Sequence, residues 1–202
     1  MAEEEKKENK PEEQVSWQKS LLLYLHDVTA LLAVIMLVFM LLFRIVVVSG
    51  SSMYDTLYNG DWLLLLSNTF YHDPEYGDII VASKDSFRDG EPIIKRVIAT
   101  EGQTVDIDFV NGVVYVDDVA LEEDYIYTST TNAEGVQFPL TVDENCVFVM
   151  GDNRMRSKDS RDPEIGIIDR REILGRAIFL MFPGAGENDA DKRDFDRIGA
   201  LK

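Results

Sequence analysis

Cysteine and histidine are scarce in this chain. The lone cysteine, Cys146, excludes an intrachain disulfide, and no C-x-x-C pair or Cys/His cluster is present to hold a metal. His26 and His72 lie far apart without ligating neighbours, so each is read as an ordinary buried or exposed residue. Cys146, inside the apolar run CVFVM, is read as a small core residue. Basic residues are also in deficit: 20 Lys+Arg stand against 37 Asp+Glu, a formal net charge of −17. Such a chain is repelled by nucleic acid, so DNA or RNA binding is not expected. At 202 residues there is room for one ordinary domain and an extra segment.

What is abundant is apolar sequence near the N-terminus. Residues 1–20 form a polar arm with six Glu and four Lys. The run LLLYLHDVTALLAVIMLVFMLLFRIVVV follows. Between Asp27 and Arg44 lie 16 residues, all apolar except Thr29. As a helix they cover about 24 Å, short of a ~30 Å hydrocarbon core. The flanking LLLYL and IVVV supply the missing length, and Arg44 can snorkel, so residues 21–47 are expected to contain one transmembrane helix. A cleaved leader fits less well. The arm is not net positive, the apolar stretch is long, and no A-x-A follows it. Lys6, Lys7, Lys10 and Lys19 place the arm in the cytoplasm and the remainder outside, by the positive-inside rule.

The remainder reads as β. TVDIDFV and VVYVDD alternate and are joined by Asn111-Gly112, a strong hairpin signal. DWLLLLS, GDIIVAS, IIKRVIAT, CVFVMGD and GRAIFLMF are further strand candidates between turn-forming clusters. Residues 183–202 read as a polar C-terminal tail.

Just past the apolar run stands SGSSMYDTL, three serines within four residues. A serine hydroxyl is a poor nucleophile until a base takes its proton. Neither histidine has a plausible context and metal ligands are lacking, which leaves lysine as the base. Lys95, in the apolar stretch EPIIKRVIAT, is the candidate. Burial there would favour the neutral amine. A strand lysine that simply points to solvent, with Arg96 pointing the other way, is the other reading of the same residues. A third stretch, GDNRMRSKDSRDPEIG, is dense in turn formers, and on its own it passes for a polar loop. It lacks the ligand order of an EF-hand.

Together the three stretches resemble bacterial type I signal peptidase, the membrane-bound Ser-Lys endopeptidase. The family's box G-x-S-M-x-P-T corresponds to Gly50-Ser51-Ser52-Met53-Tyr54-Asp55-Thr56, its lysine box to KRVIATEGQ, and its last box to GDNRMRSKDSR. NGDWLLL and YGDIIVAS match intermediate boxes, and the likeness covers about residues 20–182. The resemblance implies a mainly antiparallel β catalytic domain over residues 48–182, with no metal and no cofactor. It implies Ser52 as nucleophile, Lys95 as general base, and the Ser52 N–H as an oxyanion donor. Ser157 would orient the Lys95 amine, and Asp159 with Arg161 would form a supporting ion pair. Met53 would floor the pocket for the −1 residue. The substrates implied are preprotein signal peptides with small residues at −1 and −3, cut by a monomeric enzyme anchored in the lipid bilayer of the cell membrane.

Three departures stand out. Asp55 replaces the usual proline, and its carboxylate is expected to point away from Lys95, because a nearby negative charge would keep the lysine charged. Gly50 removes a side-chain oxyanion donor found in some members. ATEGQ replaces the usual Gly-x-Pro-Gly-Asp, which should alter a loop rather than the chemistry. Two other functions compete: a catalytically silent membrane-anchored homologue acting as a binding module, and a self-cleaving Ser-Lys protease. The intact Ser52, Lys95 and Ser157 count against the first, and the membrane span counts against the second.

Overall fold

The structure, a computed structural model, describes residues 17–185 and 193–201. Most of the polar arm expected over residues 1–20 therefore lies outside the described residues, and its last four are helical. Helix α1 spans Trp17–Leu42, 26 residues, or about 39 Å. That is long and apolar enough to cross a membrane. Thr29 donates its hydroxyl to the Leu25 carbonyl at 2.6 Å, so the helix satisfies this polar group internally.

The helix boundaries differ from the expected 21–47. The helix begins earlier and stops at Leu42, and Phe43–Val47 is strand β1. Ile45, Val46 and Val47 are β-branched and disfavour continued helix. A partner is also available. β1 pairs antiparallel with β2 (Trp62–Ser67), from Phe43↔Leu66 to Val47↔Trp62. Arg44 is thus a strand residue, opposite Leu65.

The chain divides after Met40 into two compact units. The second holds strands β3 (Ile79–Ala82), β4 (Ile93–Thr100), β5 (Thr104–Asp108), β6 (Val113–Val116) and β7 (Val119–Ala120). They are followed by β8 (Leu140–Thr141), β9 (Cys146–Met150), β10 (Ile168–Asp169), β11 (Ile173–Phe182) and β12 (Gly199–Ala200). The larger sheet runs β1-β2-β11-β3-β4-β9-β10, with β12 also on β11, and the smaller runs β7-β6-β5-β8. All these ladders are antiparallel. Each strand segment expected from the sequence is present.

The expected Asn111-Gly112 hairpin forms, but its loop is four residues, 109–112. Asp108 explains the longer loop. Its carboxylate accepts from the Val110 and Asn111 N–H groups and from the Asn111 amide, while its carbonyl accepts from Gly112.

Three apolar clusters hold the unit together. One packs Val48, Met53 and Leu57 against Leu63, Leu65, Ile79 and Leu180, beneath the serine-rich segment. A second centres on Ile80, Val97, Val149 and Ile168. The third joins the two sheets through Val105, Val114, Phe148 and Met150, with Cys146 partly buried at its margin. Each fully buried large aliphatic side chain contributes about 1.5–3 kcal/mol. β3 and β4 are central and covered on both faces, so Lys95 and Arg96, which point to opposite faces, are both buried.

Residues 183–202 are not simply a polar tail. Of its described residues, 183–185 and 193–201, the second stretch forms one 3-10 turn at Phe195–Arg197 and then β12, which pairs Ala200 with Phe179 and Gly199 with Leu180. Leu201 packs against the cluster under the serines.

Candidate active site

The serine-rich segment becomes a loop, residues 48–61, tied at its base. Val48 N–H donates to Asp61 O and Gly60 N–H to Val48 O, both at 2.8 Å. Gly50, at φ +94°, takes a backbone conformation that side chains disfavour. This also lets its N–H reach the Asn59 side chain at 3.0 Å. The far wall is the GDNR segment: Asn153 donates its N–H to Ser52 O at 3.0 Å and its amide to Ser51 O at 3.2 Å.

Lys95 reaches this loop from β4. Its Nζ lies 2.8 Å from Ser52 Oγ and donates to the Ile94 carbonyl at 3.0 Å. Lys95 is 4% exposed. Burial pulls the amine down from its ordinary value to about 8, against the opposing pull of Asp159, Asp152 and Glu134. Arg161 adds to the lowering.

Asp159 and Arg161 are fully buried and joined by a fork, Nε to Oδ1 and Nη2 to Oδ2, both 2.8 Å. Burial works against the charged carboxyl, but Arg161 and the Gly151 N–H hold its pKa below the usual range. Gly151 is where the walls meet. A Cβ there would stand 2.3 Å from Ser157 Oγ and 2.5 Å from Ser52 O. Ser157 is buried, and its hydroxyl does not bond Lys95; no described partner meets it in full hydrogen-bond geometry, but it stands close enough to Asp159 to help hold that carboxyl charged. Ser157 is thus beside the Ser52 backbone but not bonded to the lysine. Met53 is buried and lines a cavity of about 570 Å³ with Ser52, Lys95, Val81 and Ile94.

Asp55 is exposed, and its carboxylate accepts from the Tyr58 hydroxyl. The carboxylates that act most strongly on Lys95 are Asp159, Asp152 and Glu134 rather than Asp55.

Several supporting residues were not singled out from the sequence. Arg96 is paired to Asp152, which also accepts from Thr56 Oγ1 at 2.5 Å. Arg154 is fully buried and bonds Gly151 O, Thr130 and Glu123. Glu134 lies 3.7 Å from Arg161, and burial first, then Asp159, raises its pKa to about 7. Arg154 and Asp152 were visible only as letters of the last box. Glu123 and Glu134 sit in irregular segments with no periodicity to mark them.

The family model described as signal peptidase, peptidase S26, matches residues 21–182. The chain belongs to this family. A probable signal peptidase I-1 from Synechocystis sp. is 38% identical, over 68% of this chain and 70% of its own. Signal peptidase I of Bacillus licheniformis is 32% identical, over 89% and 95%. A chloroplastic thylakoidal processing peptidase 1 from Arabidopsis thaliana is 29% identical, over 73% of this chain and 44% of its own. As a signal peptidase the chain is a serine endopeptidase, and its mainly antiparallel β-fold with one N-terminal apolar helix is the architecture described above.

Proposed function

We propose that this enzyme removes signal peptides from secreted preproteins with a Ser52/Lys95 dyad. The observation that carries this reading is the 2.8 Å approach of a buried lysine amine to the Ser52 hydroxyl. With the pKa near 8, about a tenth of the lysine is neutral at pH 7. Neutral Lys95 takes the Ser52 proton as Oγ attacks the scissile carbonyl. The oxyanion is held by the Ser52 N–H. The ammonium then protonates the leaving amine, the C–N bond breaks, and an ester to Ser52 remains. Lys95, neutral again, deprotonates a water that hydrolyses the ester.

Ser157 supports the lysine in this reading, as a buried hydroxyl beside the Ser52 backbone. Asp159 and Arg161 keep that wall in place. Met53, with Val81 and Ile94, gives the cavity an apolar lining that suits small residues at −1 and −3. The catalytic domain, residues 48–182, is placed outside the cell. The helix lies in the lipid bilayer, and the lysine-bearing arm is cytoplasmic. The enzyme acts as a monomer.

The test is cleavage of a preprotein with an Ala-x-Ala site by the full-length protein in detergent, with Ser52→Ala and Lys95→Ala beside it. Cleavage after the −1 alanine, abolished by both substitutions, is expected. Cleavage that survives Lys95→Ala would mean another base. No cleavage by the folded, unaltered protein would favour the silent homologue.

A further inference from the structure

The segment after residue 182 lies past the residues that match the family, yet it returns to the loop that carries Ser52. Arg197 is the point of contact. Its Nη2 donates to Asp61 Oδ2 at 2.7 Å and to the Thr56 carbonyl at 3.0 Å, and its Nη1 donates to Asp61 Oδ1 at 3.1 Å. Its guanidinium also stacks on the Tyr58 ring, 4.0 Å from the centroid. Asp61 is fully buried, so its charge needs a partner, and Arg197 is its ion-pair partner. Asp61 also accepts from the N–H groups of Tyr58 and Gly184, at 2.8 and 2.6 Å.

These contacts fall on both limbs of one loop. Asp61 closes its base through Val48, and Thr56 is four residues beyond Ser52. The Thr56 side chain is held from the other side by Asp152. The loop therefore sits between the last box of the family and the C-terminal segment. That segment is itself anchored: Asp194 caps its 3-10 turn, and Leu201 N–H donates to Ile178 O at 3.0 Å. The Asp55 in place of proline belongs to the same arrangement, because its carboxylate takes the hydroxyl of the tyrosine on which Arg197 stacks.

From this geometry we infer that Arg197 is a positioning residue for signal-peptide cleavage, one that holds the Ser52 loop in register with Lys95 from the C-terminal segment. A fork is needed because one group must satisfy a carboxylate and a carbonyl together. The inference rests on Ser52 as nucleophile. Its failure is distinguishable, because Ser52→Ala is run in the same assay and tests that reading separately.

The experiment measures kcat and KM on an Ala-x-Ala preprotein for full-length Arg197→Gln and Arg197→Lys, with thermal unfolding of each. Misplacing a reacting group by a fraction of an ångström to an ångström costs about 10- to 100-fold in rate. The expected result for Arg197→Gln is a fall in kcat of that size, with KM within about twofold. Arg197→Lys should recover part of the loss. A folded Arg197→Gln enzyme with kcat within about twofold of the unaltered protein overturns the inference. If Arg197→Gln does not fold, Arg197→Lys decides: a kcat several-fold down supports the inference, and an unchanged kcat overturns it.

Discussion

Arg96 and Asp152 face each other through two parallel hydrogen bonds, Nε to Oδ1 at 2.9 Å and Nη2 to Oδ2 at 2.8 Å, and both are buried. Arg96 is the neighbour of Lys95 on β4, and Asp152 belongs to the GDNR segment. Asp152 also accepts from Thr56, at the far end of the serine box. One ion pair thus ties the lysine strand, the serine loop and the last box together. Removing one partner strands a buried charge. Asp152→Ala should lose about 3–5 kcal/mol in urea unfolding, and the double variant with Arg96→Met should lose less. A loss below about 1 kcal/mol for Asp152→Ala would show that the pair is not desolvated.

Lys95 sets a pH dependence in two readouts. Its folded pKa, about 8, lies below the unfolded value near 10.4. Activity should rise through pH 8 as the amine becomes neutral. Between about pH 8 and 10.4 the unfolded chain binds more protons than the folded one, so this group's contribution to stability rises with pH, by about 3 kcal/mol across the window. Below pH 8 both states are charged and the burial cost is constant. Lys95→Met should therefore abolish cleavage without lowering the unfolding temperature at pH 7. A clear drop would mean that the lysine charge is well compensated where it lies.

Much of this was legible in the chain itself. The strands show because alternating or wholly apolar runs are bounded by Gly, Asp and Asn, whereas Ser52 is singled out among three serines, and Lys95 over a solvent-facing reading, only through the resemblance to the family's boxes. The helix end did not show. Phe43–Val47 is as apolar as the helix before it, and its strand state comes from pairing with Trp62–Ser67. The C-terminal strand is two residues long, too short for any period, and Arg197 meets Asp61 across 136 positions. The same holds for Glu123 with Arg154, a pair made by tertiary packing alone.

Asp55→Pro tests the departure in the first box. The carboxylate accepts from Tyr58 and is not among the leading influences on Lys95. Exposed polar contacts contribute at most about 1 kcal/mol. kcat/KM on an Ala-x-Ala preprotein should therefore stay within about fivefold. A gain beyond about tenfold would show that the carboxylate holds the lysine charged during turnover.

Ser157→Ala separates a catalytic hydroxyl from a structural one. The buried Oγ meets no described partner in full hydrogen-bond geometry, and Asp159, which it helps hold charged, keeps its fork to Arg161 and the Gly151 N–H when it is deleted. The cost of burying a poorly partnered hydroxyl offsets the small support it gives Asp159, so its removal should leave the unfolding temperature nearly unchanged. The same change takes away the Ser157 hydroxyl packed beside Gly151 and the Ser52 backbone. If that hydroxyl orients the Lys95 amine during turnover, kcat should fall by about 10- to 100-fold while KM holds. A structural role predicts the opposite pair of results, lower stability with kcat intact. Measuring kcat and thermal unfolding on one preparation of the variant therefore decides the role of Ser157, because a different one of the two readouts moves under each account.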